Sequence, residues 1–337
     1  MKLRVASFWF LVLQQKSRKT FRFLHNQKLK TINYKLRSLG ERWNAFWFRE
    51  CPPHAMAILR IAFGLNMLLF FGIHVRDVPM FFSEQGLILP TIFLPQFLLP
   101  FLTPPSVITA YIIYAVMIVS LLSFTVGFHT RLSAAIATLI YIYYITLFFH
   151  QGITSFMRLF LFLFIVFTCA DSGKAFSVEM WRKHGSIFAW EMGSILTQRL
   201  VAIQITATYL GVGWQKVWLP DWQGGEILYY SFQSMWATPI AWWLVREQFP
   251  MWVYSAMVIV VTYFETALPF GLWIPKVQKW FMLGGILFHV GISLFLAAIW
   301  WFYAMIAAYI TFCKPEDVLE RCQVLGDRFK APLIPKT

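Results

Sequence analysis

Apolar runs of 16 to 25 residues recur between residues 55 and 313, and no other feature limits the possible folds so sharply. As helix, at 1.5 Å per residue, such a run crosses most or all of a roughly 30 Å hydrocarbon layer. The runs are continuous and do not alternate apolar with polar residues, so they read as helices and not as strands of a barrel. Composition agrees: 59% of residues are hydrophobic, 19% aromatic and only 13% charged, against roughly 25% charged in soluble domains. The expected fold is all-α, a polytopic transmembrane helical bundle of about eight spans with an interfacial amphipathic segment at its N-terminus.

The spans are expected at about 55–75, 106–126, 132–149, 155–170, 198–214, 251–273, 279–297 and 299–313. The last two divide one apolar stretch, residues 281–313, by a hairpin near Ala297–Trp300. As a single helix it would run about 50 Å, far beyond the hydrocarbon thickness. Three regions follow: a basic N-terminal segment (1–53), a transmembrane domain (54–313) and a C-terminal tail (314–337). Of the net charge of +14, +10 lies within the first 50 residues. Directly ahead of a first span, such charge reports topology and contact with anionic lipid, and nucleic-acid binding is rejected. The external loop 215–250 balances Lys216 and Arg246 against Asp221, Glu226 and Glu247, while Arg131, Lys174, Arg182, Lys183 and Lys276 fall on the other side. Both termini are therefore expected in the cytoplasm; a seven-span count would move the C-terminus outside.

Residues 5–13 have the look of a short signal-peptide core, but no small-x-small site follows and the next stretch is basic. The reading is a retained interfacial helix. Cys51, Cys169, Cys313 and Cys322 form no C-x-x-C pair and all fall near the cytoplasmic side, so neither a disulfide nor a metal site is expected. Residues 76–105 carry six prolines and are expected to dip into the interface. Residues 214–243 carry six tryptophans, suited to an interfacial belt or to the roof of a cavity.

Ionisable groups inside apolar spans are costly, which makes each one a candidate. Arg60 is read as snorkelling from the first span. Arg158, with His150 nearby, is read as either a helix-end anchor or an anion-binding group. Glu265 lies mid-span, four residues before Pro269, whose missing N–H frees the carbonyl of residue 265. It is expected to be neutral or paired with Arg199, Arg60 or His289. A structural lock and a catalytic acid both remain open. A lone histidine on an apolar helix, His289 is read as a hydrogen-bonded packing residue; no second histidine at helical spacing accompanies it. Lys216 ends an apolar helix among Trp214, Trp218 and Trp222. It is either an anchor that snorkels to water or an amine kept dry enough to act as a base. No G-x-S-x-G elbow, Walker loop or dinucleotide fingerprint is present.

Gly213-x-x-Lys216-x5-Trp222-x-Gly224, followed by Ile227-Leu-Tyr-Tyr, resembles the lysine motif of the HTTM family. That family is the membrane domain shared by vitamin K-dependent gamma-carboxylases and many bacterial proteins. Leu59-Arg-Ile-Ala-Phe-Gly64 with Phe82-Ser-Glu-Gln-Gly-Leu87, Val126-Gly-Phe-His-Thr-Arg131, Glu265 with Pro269, and Phe288-His289 match further family elements in order. The resemblance spans about residues 54–313. It implies Lys216 as the base that deprotonates a reduced, vitamin K-like quinone, with His289 and Glu265 in support and Arg158, His150, Trp214, Trp218 and Trp222 lining the pocket. It also implies a multi-pass protein of a bacterial plasma membrane. The chain ends about two dozen residues after its last span, and His150-Gln-Gly stands where the family reads N-x-H. Glutamate carboxylation is therefore not the expected reaction. The alternatives are a non-catalytic maturation factor for an exported peptide, working with a soluble partner as in sporulation-delaying-toxin systems, and a proton-coupled transporter using Glu265 and His289.

Overall fold

The computed structural model describes residues 39–86, 103–147, 155–297, 303–328 and 334–335. Residues 39–49 belong to a separate unit, Met1–Arg49, and carry a helix over residues 39–48 in which Trp47 meets Trp43 and Phe46 edge-on. The second unit, Glu50–Thr337, is mostly helical. The interfacial segment expected at residues 5–13 and the hairpin turn at 298–300 lie outside the described residues, as does most of the proline-rich loop.

Helices α1 (His54–Ile73), α3 (Val107–Val126), α4 (Thr130–Leu147) and α11 (Met251–Trp273) are long and apolar enough to cross a membrane. The short α2 (Val78–Phe82) lies between α1 and α3. The other expected spans fall on α5 (Ser155–Cys169), α7 (Leu196–Trp218), α12 (Gln278–Phe295) and α13 (Tyr303–Ala308), which continues as a 3-10 turn, Tyr309–Phe312. Helix α7 runs four residues past its expected end, so Lys216 sits on the helix and not in a loop. Residues 215–250, expected as a loop, fold into α8 (Pro220–Gln223), α9 (Glu226–Ser231) and α10 (Pro239–Arg246). The expected tail holds α14 (Pro315–Arg328), which packs on α1.

The four membrane-length helices are apolar all round, which in a helix marks deep burial or a lipid neighbour. On α1 the inward stripe is Met56, Leu59, Phe63, Met67 and Phe71, while Leu65 and Leu69 face outward. Ile108, Leu139 and Val260 are likewise exposed. Phe63 is the hub, its ring within 6.3 Å of Phe124, Phe160, Phe164 and Phe167 by centroid. Three of these pairs are edge-on and one is stacked; such pairs contribute about 0.5–1.5 kcal/mol each beyond area burial.

The turn from α3 to α4 uses Gly127 at φ +78°, where a side chain would be strained and would meet Ser177. Glu179, on the short α6 (Val178–His184), accepts from the Thr130 N–H at 2.8 Å and closes the start of α4. Beneath these ends lies the segment 171–194. Asp171 holds Arg131 at 2.8 Å and the Ser194 N–H at 2.9 Å. Strand β1 (Glu50–Cys51) pairs antiparallel with β3 (Gly193–Ser194), and β2 (Ala189–Trp190) pairs parallel with β4 (Ile334–Pro335).

Arg60 departs from expectation. It does not snorkel: it is fully buried, and its guanidinium donates to the carbonyls of Ser172, Ala175 and Phe176. The segment that follows α5 is folded over it, so backbone oxygens replace water around the charge.

Candidate functional site

Helix α7 presents Ile205, Tyr209 and Gly213 on its buried face, with Lys216 next in the same row. Spacings of three and four residues put these side chains one above another. Opposite runs α11, antiparallel, with Val258, Thr262, Glu265 and Leu268 on its buried face. The two helices meet closely at Gly213, where an added Cβ would stand 2.6 Å from the Thr266 hydroxyl. A small residue at a crossing lets backbones approach, and in a bilayer such packing drives association. Farther along, Ser255 donates to the Gly224 carbonyl at 2.6 Å, which fixes the same register.

Within this seam the Lys216 ammonium donates to the Glu265 carboxylate. The side chains are only 12% and 8% exposed, so both charges are largely out of water. Pro269 stands one turn below Glu265 inside α11, leaving the residue 265 carbonyl without its helical N–H. The Lys216 Nζ also lies 4.3 Å from the centre of the Trp222 ring, a cation–π contact worth up to about 2 kcal/mol where desolvated. Of the three tryptophans expected around the lysine, only Trp222 faces it. Trp214 and Trp218 are 60% and 66% exposed and pack edge-on against each other.

Two turns down α7, the Tyr209 hydroxyl lies 2.6 Å from His289 Nε2 and 2.6 Å from the Tyr309 hydroxyl. A phenol has one proton, so Tyr209 donates to one neighbour and accepts from the other. Along α7 the amine thus stands two turns from a buried phenol–imidazole cluster.

Glu265 finds its partner in Lys216, not in Arg60, Arg199 or His289. Arg60 belongs to the seam of carbonyls described above. Arg158 lies in the first turns of α5 with an exposed side chain, and His150 is outside the described residues. Tyr209, Tyr309 and Thr262 were not singled out from sequence; hydroxyl residues are ordinary in apolar helices and give no signal by type alone. Among the described residues, no group of three His, Cys, Asp or Glu side chains is placed to hold a metal ion. A separate cavity of about 500 Å³ lies at the α4 start, lined by His129, Arg131, Asp171, Lys174 and Glu179 among others.

A bundle of apolar helices with an amine–carboxylate pair sealed in one seam defines a helical membrane protein with a buried charged centre. Residues 48–316 match the HTTM domain family. The chain therefore belongs to that family, and the suspected resemblance is its true relationship. No curated protein and no solved structure matches it significantly.

Proposed function

We propose that this HTTM protein crosses the membrane about eight times, with both termini in the cytoplasm, and removes a proton from a lipid-soluble substrate at the outer face. The buried Lys216–Glu265 pair carries this reading. Two charges taken out of water gain less from each other than a well-packed apolar pair would give, so stability alone is a poor reason to keep them. Inside a membrane, paired ionisable groups mark substrate or proton paths.

The pair also says how the chemistry would run. The proton on the Lys216 ammonium passes to the Glu265 carboxylate, leaving a neutral amine and a neutral acid. The amine then takes the proton of a substrate O–H, and the oxyanion so formed faces the new ammonium. Net, the substrate has lost a proton and Glu265 has gained one, with Lys216 as the relay. Trp222 shields the step from water. The family resemblance names a reduced quinone as the compound to try, since a quinol offers an acidic hydroxyl on an apolar body and reaches the site from the bilayer.

Purified protein given a reduced naphthoquinol and oxygen should speed consumption of the quinol. Lys216→Ala and Glu265→Gln should each lower that rate about a hundredfold, the scale of one lost acid–base group. Normal expression with undiminished rates in both variants would end the proposal.

A second reading draws on a different observation. Tyr230, Met235, Trp236, Trp242 and Trp252, all within residues 226–252, are each exposed, Met235 at 88%. A non-catalytic factor that assists an exported peptide would use such exposed side chains. Under this reading a small secreted polypeptide co-purifies with the protein, and Lys216→Ala leaves that association intact.

A further inference from the structure

Threonines in the described helices mostly turn their hydroxyls back onto their own backbone. Thr125, Thr138, Thr146, Thr206 and Thr266 each donate to the carbonyl four residues earlier, at 2.6 to 2.9 Å. This is the default for a hydroxyl in an apolar helix, because it satisfies the proton locally. Thr262 does otherwise. Its residue is 6% exposed, its Oγ1 is shut off from solvent, and the hydroxyl has no hydrogen-bond partner. The carbonyl of Thr262 is used by Thr266, yet its own side chain is left unmade.

An unpartnered buried hydroxyl costs about 1–3 kcal/mol, so each one needs an explanation. Position supplies it. Thr262 shares the buried face of α11 with Glu265, one turn away. The antiparallel register set by Gly213 against Thr266, and by Gly224 against Ser255, puts residue 262 level with residue 217, beside Lys216. The free hydroxyl therefore stands in the same seam and at the same depth as the amine.

We infer that Thr262 is a substrate-positioning residue whose hydroxyl bonds an oxygen of the molecule on which Lys216 acts. This rests on the proton-removal reading above and narrows its substrate class. A threonine hydroxyl both donates and accepts, so the partner is a neutral hydroxyl or carbonyl. Val258 flanks it one turn along the buried face of α11, so the part of the molecule beside Thr262 is apolar.

The test uses the full-length protein in detergent, with menadiol (2-methyl-1,4-naphthohydroquinone) kept reduced under anaerobic conditions as probe. Thr262→Val keeps the branched shape and removes the hydroxyl; Thr262→Ser keeps the hydroxyl. Without menadiol, Thr262→Val should melt at or above the wild-type temperature, since it deletes an unsatisfied group. With menadiol, its apparent Kd should rise about tenfold, the scale of one lost hydrogen bond, while Thr262→Ser stays near wild type. A lower melting temperature for Thr262→Val alone would reveal an internal partner, such as a fixed water, and overturn the inference. Equal menadiol affinity in wild type and Thr262→Val would overturn it too, leaving the Lys216 reading standing. Failure of wild type to bind menadiol any better than Lys216→Ala would remove the reading itself, and this inference with it.

Discussion

A single buried proton partner shapes what each residue of the centre can do. Glu265→Ala leaves the Lys216 ammonium among apolar groups, and loss of one partner from a buried pair costs about 3–5 kcal/mol. The variant should melt well below wild type in detergent. Replacing both, as Lys216→Met with Glu265→Leu, should restore most of the lost stability, and a double-mutant cycle on melting temperatures measures the coupling. Both residues were visible in the sequence because ionisable side chains are rare in apolar runs. Their pairing was not, since they are 49 positions apart and one sequence carries no register between two helices. The tryptophan-rich stretch misled for a related reason. Indoles suit both an interface and a cavity roof, and it is the helix break at Leu219–Pro220, which puts Trp222 on α8, that separates it from Trp214 and Trp218.

At the level of elements, the segment 171–194 decides how the ends of α1, α3 and α4 are closed. Gly127→Ala would place a Cβ at a left-handed φ and against Ser177, at a cost of at least about 1 kcal/mol; thermal unfolding of the purified variant reads it. The same segment carries Glu191, which accepts from Lys183 and lies 2.7 Å from His184 Nε2. These two contacts, Lys183 first, hold its carboxyl below the ordinary 4.5. A lowered folded-state value adds stability above the unfolded value and loses it as pH falls through the folded one. Hydrogen exchange of the amides in 178–194 should therefore quicken as pH falls below the ordinary carboxylate range, after correction for intrinsic rates. Glu191→Gln should abolish that extra dependence. Helix positions were largely legible from the continuous apolar runs, with ends shifted by a few residues. The short elements between them were not: α6, α8, α9 and α14 are polar or mixed, and tertiary contacts rather than pattern select them.

For the molecule as a whole, the proposed eight crossings with a cytoplasmic N-terminus predict that residues 215–250 face outward. Met235→Cys, at an 88% exposed position, should react with a membrane-impermeant maleimide on intact cells well above the wild-type background. Labelling only after permeabilisation would reverse the orientation. Synthesis order adds a constraint that this architecture cannot avoid. Among the described membrane-length helices α1 comes first and carries Arg60, and the carbonyls that receive its guanidinium lie 112 to 116 residues downstream. Until those residues have been translated, that charge has to keep company with water or lipid headgroups. Helix α1 is thus among the last to reach its final depth, and a chain interrupted before residue 176 would leave it riding high in the bilayer.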